Sequence, residues 1–506
     1  MEERKYIELT GNPVIMELSD IPVLEYQEFR QLIDDLLKNE RAHCLTYFVY
    51  PQRDRRQFIC CMGMDVKHTI LVFSHEQAAM NGLLLESITQ RHFCFHVFER
   101  EIHENYGIGF IGHPWLKPVR FPFDRADQSI TMNAYPFYSI DGEELHEVGV
   151  GPIHAGVIEP GYFRFICHGE NVLHLEIQLG YQHRGIERNF IAKSTLLQRA
   201  ILAESIAGDT TIGHSMAFGG LMETLGDQPV SPQMSLERAI ALELERIAAH
   251  IGDTAAICGD IAYQFGQVVN EALRTIVINT TQRWCGNRFG KGLIRPGGAH
   301  YPLTPEIKLL ILKNLAEVEG RFTQITGRMF TMPSVLGRFE AIGTVTAQQA
   351  KTIGAVGMAA RSCGLMRDIR WSHPFGAFRD IQVDPVALPS GDVWSRTMLR
   401  KLEVDRSIAM IREFLERHDC MGATETPTNN MPLRQNSFAL SLTEGWRGEI
   451  CHAAITGDRG ELVHYKVKDP SFHNWMALAL AVRNQEISDF PLCNKSYNLS
   501  YCGNDL

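Results

Sequence analysis

The chain has 506 residues, of which 45% are apolar and 21% are charged, a composition typical of globular proteins with more than one domain. A formal net charge of -10 excludes a surface built for nucleic acid, since such a surface needs a basic patch. No apolar run approaches the roughly 18 residues that cross a bilayer, and the first residues lack an apolar signal core, so we expect a non-secreted protein.

Residues 1–125 are predicted to form a small α/β unit. The segment 26–38 has the apolar spacing of a helix, and a second helix is predicted at 81–90. Three runs rich in aromatic and β-branched residues indicate strands, namely LTYFVY, QFICCMGM and HTILVFS.

A stretch rich in glycine and proline follows, from Glu99 to Pro122. Glycine occupies positions 107, 109 and 112, and proline occupies positions 114, 118 and 122. Because these residues interrupt regular structure, the stretch is predicted to be a packed loop at the edge of the unit. Residues 126–146 are predicted to be a polar connector.

Residues 147–506 are predicted to form a larger, mainly helical unit. The alternating segment YFRFICHGENVLHLEIQLGY predicts a β-hairpin that turns at HGEN. Long helical patterns follow at 235–257, 267–285, 305–330 and 399–419. Antiparallel helices of this length pack as a bundle. Strand spacing returns at 437–469, and a last helix is predicted at 473–485. The expected fold class is therefore α+β, with a small α/β domain before a helical bundle that carries peripheral β-hairpins.

The twelve cysteines are scattered along the chain, and no two of them have C-x-x-C spacing. Sites for zinc or iron–sulfur clusters usually take thiolates from such close pairs. Scattered cysteines among apolar residues indicate reduced, buried thiols. The sequence therefore predicts that the chain itself binds no metal cluster.

The order of the motifs carries a family resemblance. The segment EREIHENYGIGFIGHPWLKPVRFP precedes GPIHAGVIEPGYFRF, LGYQHRGIER, ELERIAAH, RSCGLMRDIRWSHPF and GEICHAAITGDRG. This order resembles a fusion of the 30-kDa and 49-kDa subunits of respiratory complex I. It is most similar to the fused large subunits of membrane-bound, energy-converting nickel–iron hydrogenases of the formate hydrogenlyase and hydrogenase-4 type. The resemblance implies a 30-kDa-like domain at 1–125 and a 49-kDa-like domain at 147–506.

Hydrogenases of this kind hold nickel and iron with two C-x-x-C pairs. Aligned on the segment GHS, the first pair falls on Ala207 and Thr210, and the second pair falls on Ser500 and Gly503. Cys502 lies between the second pair, off register. Nickel and low-spin iron in such sites need thiolate donors. The resemblance therefore implies a hydrogenase-like body without a nickel–iron centre, and not an active nickel–iron hydrogenase.

Subunits of complex I use the same cavity to bind the headgroup of a quinone, through a tyrosine and a histidine. In this chain those positions fall on Gly208 and on about Pro160. The resemblance therefore also implies that the usual pair of headgroup residues is missing.

His183 and Arg184 lie in the segment HRGIER. In relatives this pair faces the last iron–sulfur cluster, which a small partner subunit holds. A fixed positive charge there favours the reduced cluster and raises its potential. The alternative is a structural role, in which Arg184 binds Glu187 or a backbone carbonyl.

Glu187 matches a carboxylate that carries protons away from the active site in hydrogenases. A buried glutamate with a raised pKa suits that task. The alternative is a carboxylate that stabilises the first turn of a helix.

His214, Asp209 and Thr210 line the former metal cavity by register, and His154 lies on the loop across it. These residues are candidates for proton transfer or for binding a small polar substrate. The alternative is that they fill the cavity as a hydrogen-bonded plug, because an emptied cavity is costly.

The segment from Arg367 to Arg370 is expected beside the same site, either closing the cavity through an arginine–carboxylate pair or forming a structural network.

The resemblance implies a peripheral-arm subunit of a membrane-bound, complex I-like oxidoreductase complex. Electrons would pass from the iron–sulfur cluster of a small partner subunit to a quinone or another small acceptor. Antiporter-like subunits of the membrane arm would translocate ions, and this chain would lie on the cytoplasmic face of the cell membrane. One alternative is a non-catalytic scaffold or coupling subunit. Another is an NADH–quinone oxidoreductase subunit with an altered quinone site.

Overall fold

A computed structural model describes residues 4–80, 82–156, 158–419 and 425–506. The strands are β1 Ile7–Thr10, β2 Val14–Glu17, β3 Val23–Leu24, β4 Ala42–Pro51, β5 Arg55–Met64, β6 Thr69–Ala78, β7 Leu84–Glu86, β8 Gly109–Ile111, β9 Leu145–Val150, β10 Tyr162–His168, β11 Asn171–Gln178, β12 Ser437–Glu444, β13 Glu449–Thr456 and β14 Leu462–Lys468. The α-helices are α1 Tyr26–Leu36, α2 His96–Tyr106, α3 Ile186–Ala192, α4 Leu196–Ala203, α5 Thr211–Leu225, α6 Pro232–Asp260, α7 Gln264–Cys285, α8 Pro305–Met329, α9 Pro333–Phe339, α10 Ala347–Thr352, α11 Gly357–Arg361, α12 Ile369–Ser372, α13 Val393–Arg417, α14 Ser471–Ala481, α15 Phe490–Tyr497 and α16 Tyr501–Asp505.

The N-terminal unit is built on a sheet with the strand order β1-β6-β5-β4, and β3 pairs in parallel with β6. The long strands β4, β5 and β6 match the three predicted strands, and most of their residues are buried. One face of the sheet packs against α1 and α2. The other face joins the apolar core of the helical bundle. Because both faces are covered, these strands are apolar almost throughout instead of alternating.

The second helix of this unit is α2, and the prediction of a helix at 81–90 was wrong. That segment contains the short strand β7, which pairs in parallel with β8. The prediction of a loop was also wrong for residues 99–106. They form most of α2, whose apolar side chains Val97, Phe98 and Ile102 are buried. The helix ends at Gly107, which has a φ of 69° and caps it, so the glycine signal begins only after the helix.

The four predicted long helices are confirmed as α6, α7, α8 and α13. α6 packs along α7 and along α13, and α8 packs on α7. The starts of three of these helices follow from their capping residues: the side chains of Ser231, Thr304 and Asp392 accept backbone N–H groups of α6, α8 and α13. In the described part of the chain, none of the helices combines the length with the apolar character that a membrane span needs.

The C-terminal sheet has the order β14-β13-β12-β2, so a strand from the start of the chain completes it. Every residue of β12 and β13 is buried, because α5 packs on the sheet and the bundle core covers its other side. The predicted hairpin is confirmed as β10 and β11, with β9 as a third strand. The division at 125 and 147 stays a prediction, and β2 contributes to the sheet of the second unit.

Candidate functional site

The two stretches that match the metal-binding pairs of hydrogenases lie side by side, and Arg184 bridges them. Its guanidinium donates to the carbonyl oxygens of Ser205 at 2.5 Å and Ile206 at 2.9 Å. It also donates to the carbonyl oxygen of Cys502 at 3.0 Å. The positions that were predicted to have lost their thiolates are therefore part of one site.

The four positions are Ala207, Thr210, Ser500 and Gly503, and all of them are buried. The Thr210 hydroxyl accepts a hydrogen bond from Arg447 at 3.1 Å. The Ser500 hydroxyl accepts the backbone N–H of Gly503 at 2.9 Å and thereby caps α16. A Cβ atom at Gly503 would lie 2.7 Å from the Asp469 carboxylate, so a larger residue there requires Asp469 to move. The site is thus packed with short polar groups.

Arg447 lies between the two stretches and binds both of them. Its guanidinium donates to both carboxylate oxygens of Asp209, at 2.7 and 2.8 Å, and its Nε donates to the Asn498 carbonyl at 2.6 Å. The guanidinium also stacks on Trp446, 3.9 Å from the ring centre. Burial opposes the charges, but the attraction dominates and raises the pKa of Arg447 while it lowers the pKa of Asp209.

A tight hairpin places Arg447 in this position. β12 and β13 are joined through Gly445 and Gly448, which exchange two backbone hydrogen bonds of 2.8 and 3.0 Å, so Trp446 and Arg447 form the two-residue tip. Gly448 has a φ of 139° and lies directly against Gly357 of α11. A Cβ atom on Gly357 would lie 2.1 Å from the Cα atom of Gly448. Two glycines therefore let the tip approach α11 and reach the site.

The residues present do not fit a nickel–iron centre. Such a centre needs thiolate donors, and the four positions supply a methyl group, two hydroxyls and a hydrogen. Burial and Glu159 raise the pKa of the Cys502 thiol to about 12, so it stays protonated at neutral pH. The Arg447 guanidinium also places a positive charge beside Thr210, one of the four positions. Within the described ranges, no three His, Cys, Asp or Glu side chains are grouped as ligands for a metal ion.

His214 belongs to a second buried arrangement beside Arg447. Its Nε2 lies 3.1 Å from Asp469, and its Nδ1 lies 3.1 Å from Nε2 of His452. The Nδ1 of His452 lies 2.8 Å from the hydroxyl of Tyr465. Burial lowers the pKa of His452. Burial opposes the charge of Asp469, but His214 and then Arg447 lower the pKa of this carboxyl below its usual value.

Sequence reasoning identified Asp209 and His214 but missed their partners. Arg447 and His452 lie in and beside the β12–β13 hairpin, and Asp469 follows β14. A recognisable signal was present. Charged or titratable residues interrupt strands that are otherwise apolar, and such residues are rarely buried unless they are paired.

His183, Arg184 and Glu187 line a cavity of about 540 Å³ between α3, β14 and the N-terminal unit. Glu187 accepts hydrogen bonds from Lys466 at 3.0 Å and from the backbone N–H of Val467 at 2.9 Å. The expected raised pKa is not found. Burial raises the pKa of Glu187, but Lys466, Arg120 and the backbone N–H of Val467 together outweigh burial and lower it.

His154 lies in the loop between β9 and β10, where its Nε2 donates to the carbonyl of Gly161 at 2.9 Å. Among the described residues it shares no hydrogen bond with Asp209, His214 or Arg447. The structure therefore brings Asp209 and His214 to one site and leaves His154 in its own loop.

The segment RDIR forms a structural network, as one of the two interpretations predicted. Arg370 binds Asp368 at 2.7 Å and also Glu243 and Glu403 in the centre of the bundle. Arg367 points elsewhere, to Asp65 of the N-terminal unit. These pairs join the helices and the two units, and they do not contact Arg447 directly in the described part of the chain.

Glu245 lies next to the site on α6. Its carboxylate accepts the first N–H groups of α5, from Ile212 at 2.7 Å and from Gly213 at 3.1 Å. Glu245 and Asp209 also line a cavity of about 40 Å³, whose wall contains Arg274. Burial raises the pKa of Glu245 to about 8.

Comparison with known proteins shows which families and complexes this chain is similar to. Residues 263–441 match the family described as respiratory-chain NADH dehydrogenase, 49 Kd subunit. Hydrogenase-4 component G of Escherichia coli is 26% identical over 424 residues, which cover 80% of this chain and 73% of that protein. The carbon monoxide-induced hydrogenase of Rhodospirillum rubrum is 29% identical over 350 residues, covering 69% of this chain and 95% of that protein. NADH-quinone oxidoreductase subunit 4 of Thermus thermophilus is 24% identical over 377 residues, which cover 68% of this chain and 90% of that protein.

A solved structure shares the fold. It is the structure of the membrane-bound sulfane sulfur reductase, an archaeal respiratory membrane complex. The TM-score is 0.67 at 18% sequence identity, and the match covers 73% of this chain and all of that one.

Residues 263–441 are therefore similar to the 49-kDa subunit family of respiratory-chain NADH dehydrogenase. The chain's homologues include hydrogenase-4 component G, formate hydrogenlyase subunit 5 and the corresponding subunits of NADH-quinone oxidoreductases, which confirms the resemblance read from the motifs.

Proposed function

We propose that this chain is a peripheral-arm subunit of a membrane-bound, complex I-like oxidoreductase complex that has no nickel–iron centre. Its homologues are subunits of membrane-bound hydrogenases and of NADH-quinone oxidoreductases. In this proposal the chain receives electrons from an iron–sulfur cluster of a small partner subunit. Their transfer to a small acceptor drives ion translocation by antiporter-like subunits of the membrane arm. The complex has this chain on the cytoplasmic face of the cell membrane.

The observation that carries the proposal is the Arg447–Asp209 pair in the place of the metal. The Arg447 side chain is 4% exposed, whereas the Asp209 side chain is 44% exposed, so the pair is reachable from one side. A fixed guanidinium in a mostly dry site stabilises negative charge that develops on an acceptor when electrons arrive. The neighbouring Gly208 is exposed and adds no side chain that would cover the pair.

The face around Arg184 fits the partner subunit. Arg184 is exposed although it holds three carbonyl oxygens. Phe123 is 91% exposed and Ile191 is 37% exposed, and both line the same cavity as Arg184. Large exposed apolar side chains beside a fixed charge are typical of a surface that another protein covers. We assign this face to the cluster-bearing small subunit.

The test uses the native complex, solubilised gently from membranes and supplied with reduced methyl viologen as the electron donor. Protons, a short-chain quinone and polysulfide are offered separately as acceptors, because the relatives act in hydrogenase, quinone and sulfane sulfur complexes. The proposal predicts acceptor-dependent oxidation of the viologen without hydrogen evolution. Arg447→Gln should lower the rate. The control variant Arg412→Gln breaks a comparable two-bond pair with Glu319 on the bundle surface and should leave the rate unchanged.

Hydrogen evolution by the complex would overturn the proposal. So would purification of the chain with neither membrane subunits nor an iron–sulfur partner.

A further inference from the structure

Four buried side chains form an unbroken row of hydrogen bonds next to Arg447. Asp469 lies 3.1 Å from Nε2 of His214, Nδ1 of His214 lies 3.1 Å from Nε2 of His452, and Nδ1 of His452 lies 2.8 Å from the Tyr465 hydroxyl. Each of the four residues is at most 1% exposed. The two imidazoles therefore use both of their nitrogens within the row and have no contact with solvent.

The chemistry of the end group fixes the direction of the bond between His214 and Asp469. Since His214 and Arg447 hold the Asp469 carboxyl in its charged form, it accepts, and Nε2 of His214 must donate. If the His214 ring is neutral, as the relay requires, its Nδ1 accepts and Nε2 of His452 donates. The Nδ1 of His452 then accepts from the Tyr465 hydroxyl. All three protons point from Tyr465 towards Asp469.

The row connects two places that are already described. At one end, the Asp469 carboxylate lies beside Gly503 and contributes to the raised pKa of Arg447. At the other end, Tyr465 lines the cavity of about 540 Å³ that also contains Glu187. The row is thus a connection from the buried Arg447–Asp209 site to a cavity large enough to hold water.

We propose that Tyr465, His452, His214 and Asp469 form the proton path to the acceptor site, an inference that rests on the proposed function. When the reduced acceptor takes up a proton, three protons shift by one bond each, and the Asp469 carboxylate passes to the acceptor the proton that it receives from His214. The Tyr465 proton moves to Nδ1 of His452, the Nε2 proton of His452 moves to Nδ1 of His214, and the Nε2 proton of His214 moves to Asp469. Water in the cavity returns a proton to Tyr465, and rotation of the two rings restores the first tautomers.

The shift is concerted because its charged intermediates are costly. Burial raises the pKa of Tyr465, and Arg199 opposes this only in part. Burial also lowers the pKa of His452. Neither a phenolate at Tyr465 nor an imidazolium at His452 is therefore stable, and the protons of these two residues move together.

The first arm of the test measures turnover with the reduced viologen and the acceptor that the native complex consumes. Tyr465→Phe removes the first donor and His452→Gln keeps the volume but cannot relay a proton. Both should lower kcat by roughly tenfold to a hundredfold, the scale of a lost proton transfer, with little change in KM and with a larger solvent deuterium isotope effect.

The matched control is Tyr47→Phe, which removes a buried hydroxyl without a hydrogen-bond partner in the described part of the N-terminal unit and should leave turnover unchanged. Native kcat in Tyr465→Phe would overturn the proposal.

The second arm does not depend on any acceptor. Solid-state NMR of the complex with ¹⁵N-labelled histidine, compared between the native protein and His452→Gln, isolates the signals of His452. The proposal requires a proton on Nε2 and a bare Nδ1. A proton on Nδ1, or a doubly protonated ring, would overturn the relay. If the native complex reduces none of the acceptors, the proposed function is wrong. The tautomer of His452 measured by NMR still tests the relay in that case.

Discussion

Arg447 and Asp209 form a two-bond ion pair, at 2.7 and 2.8 Å, in the space onto which the two missing cysteine pairs converge. Since the guanidinium also binds Thr210 and the Asn498 carbonyl, it joins the first stretch to the second. The same group therefore holds the walls of the site together and supplies its positive charge.

Arg447→Met should destabilise the chain by about 2–3 kcal/mol. Removing one partner of a buried pair costs about 3–5 kcal/mol because it leaves an uncompensated charge, and the half-exposed Asp209 reduces that cost. The double variant with Asp209→Asn should recover at least about half of the loss, since no charge is then left alone. Pulse proteolysis of the intact complex in urea measures both values. Additive losses in the two single variants would show that the residues act separately.

Glu245 should make stability fall as the pH rises from about 5 to 8. The pKa of this carboxyl is raised from 4.5 to about 8 in the folded chain, so between these values the folded chain keeps a proton that the unfolded chain has released. Asp209 adds to this shift and Arg246 opposes it. Glu245→Gln does not titrate and keeps one oxygen, which can accept one of the two N–H groups of α5. Its melting temperature should therefore depend less on pH than that of the native chain, and an equal dependence would exclude Glu245 as the cause.

Arg184→Met should lower the midpoint potential of the partner's terminal cluster by about 40–90 mV. One charge at roughly 8 Å contributes about 1–2 kcal/mol at an effective dielectric constant near 20, and 1.4 kcal/mol corresponds to about 59 mV for one electron. Arg184→Lys keeps the charge and should keep most of the potential, although it loses the bonds to three carbonyls. Redox titration followed by electron paramagnetic resonance measures the potential. An unchanged value in assembled Arg184→Met would assign the arginine to bridging alone.

The sequence predicted the long helices because their apolar spacing is regular and their caps are local. The prediction of a loop was wrong over residues 99–106 of α2. This buried helical segment is followed directly by glycines and prolines, which are a stronger local signal for a loop. The strand β7 is only three residues long and depends on pairing with β8, which no local pattern shows.

The site was predicted in part for a related reason. Ala207, Thr210, Ser500 and Gly503 were located by register, and the structure brings their two stretches together through Arg184. Arg447 was missed because its role depends on the close backbone contact between Gly357 and Gly448, which are far apart in sequence. The raised pKa expected for Glu187 was not found, because the neighbouring Lys466 comes from β14 and was not foreseen as its partner.

The measurement that tests the central claim most directly is the nickel and iron content of the native membrane complex, determined in one elemental analysis and expressed per copy of this chain. We predict less than about 0.1 nickel per chain, because no thiolate remains at the four positions, together with several iron atoms from the partner's clusters. About one nickel per chain, or a complex without iron, would contradict the account.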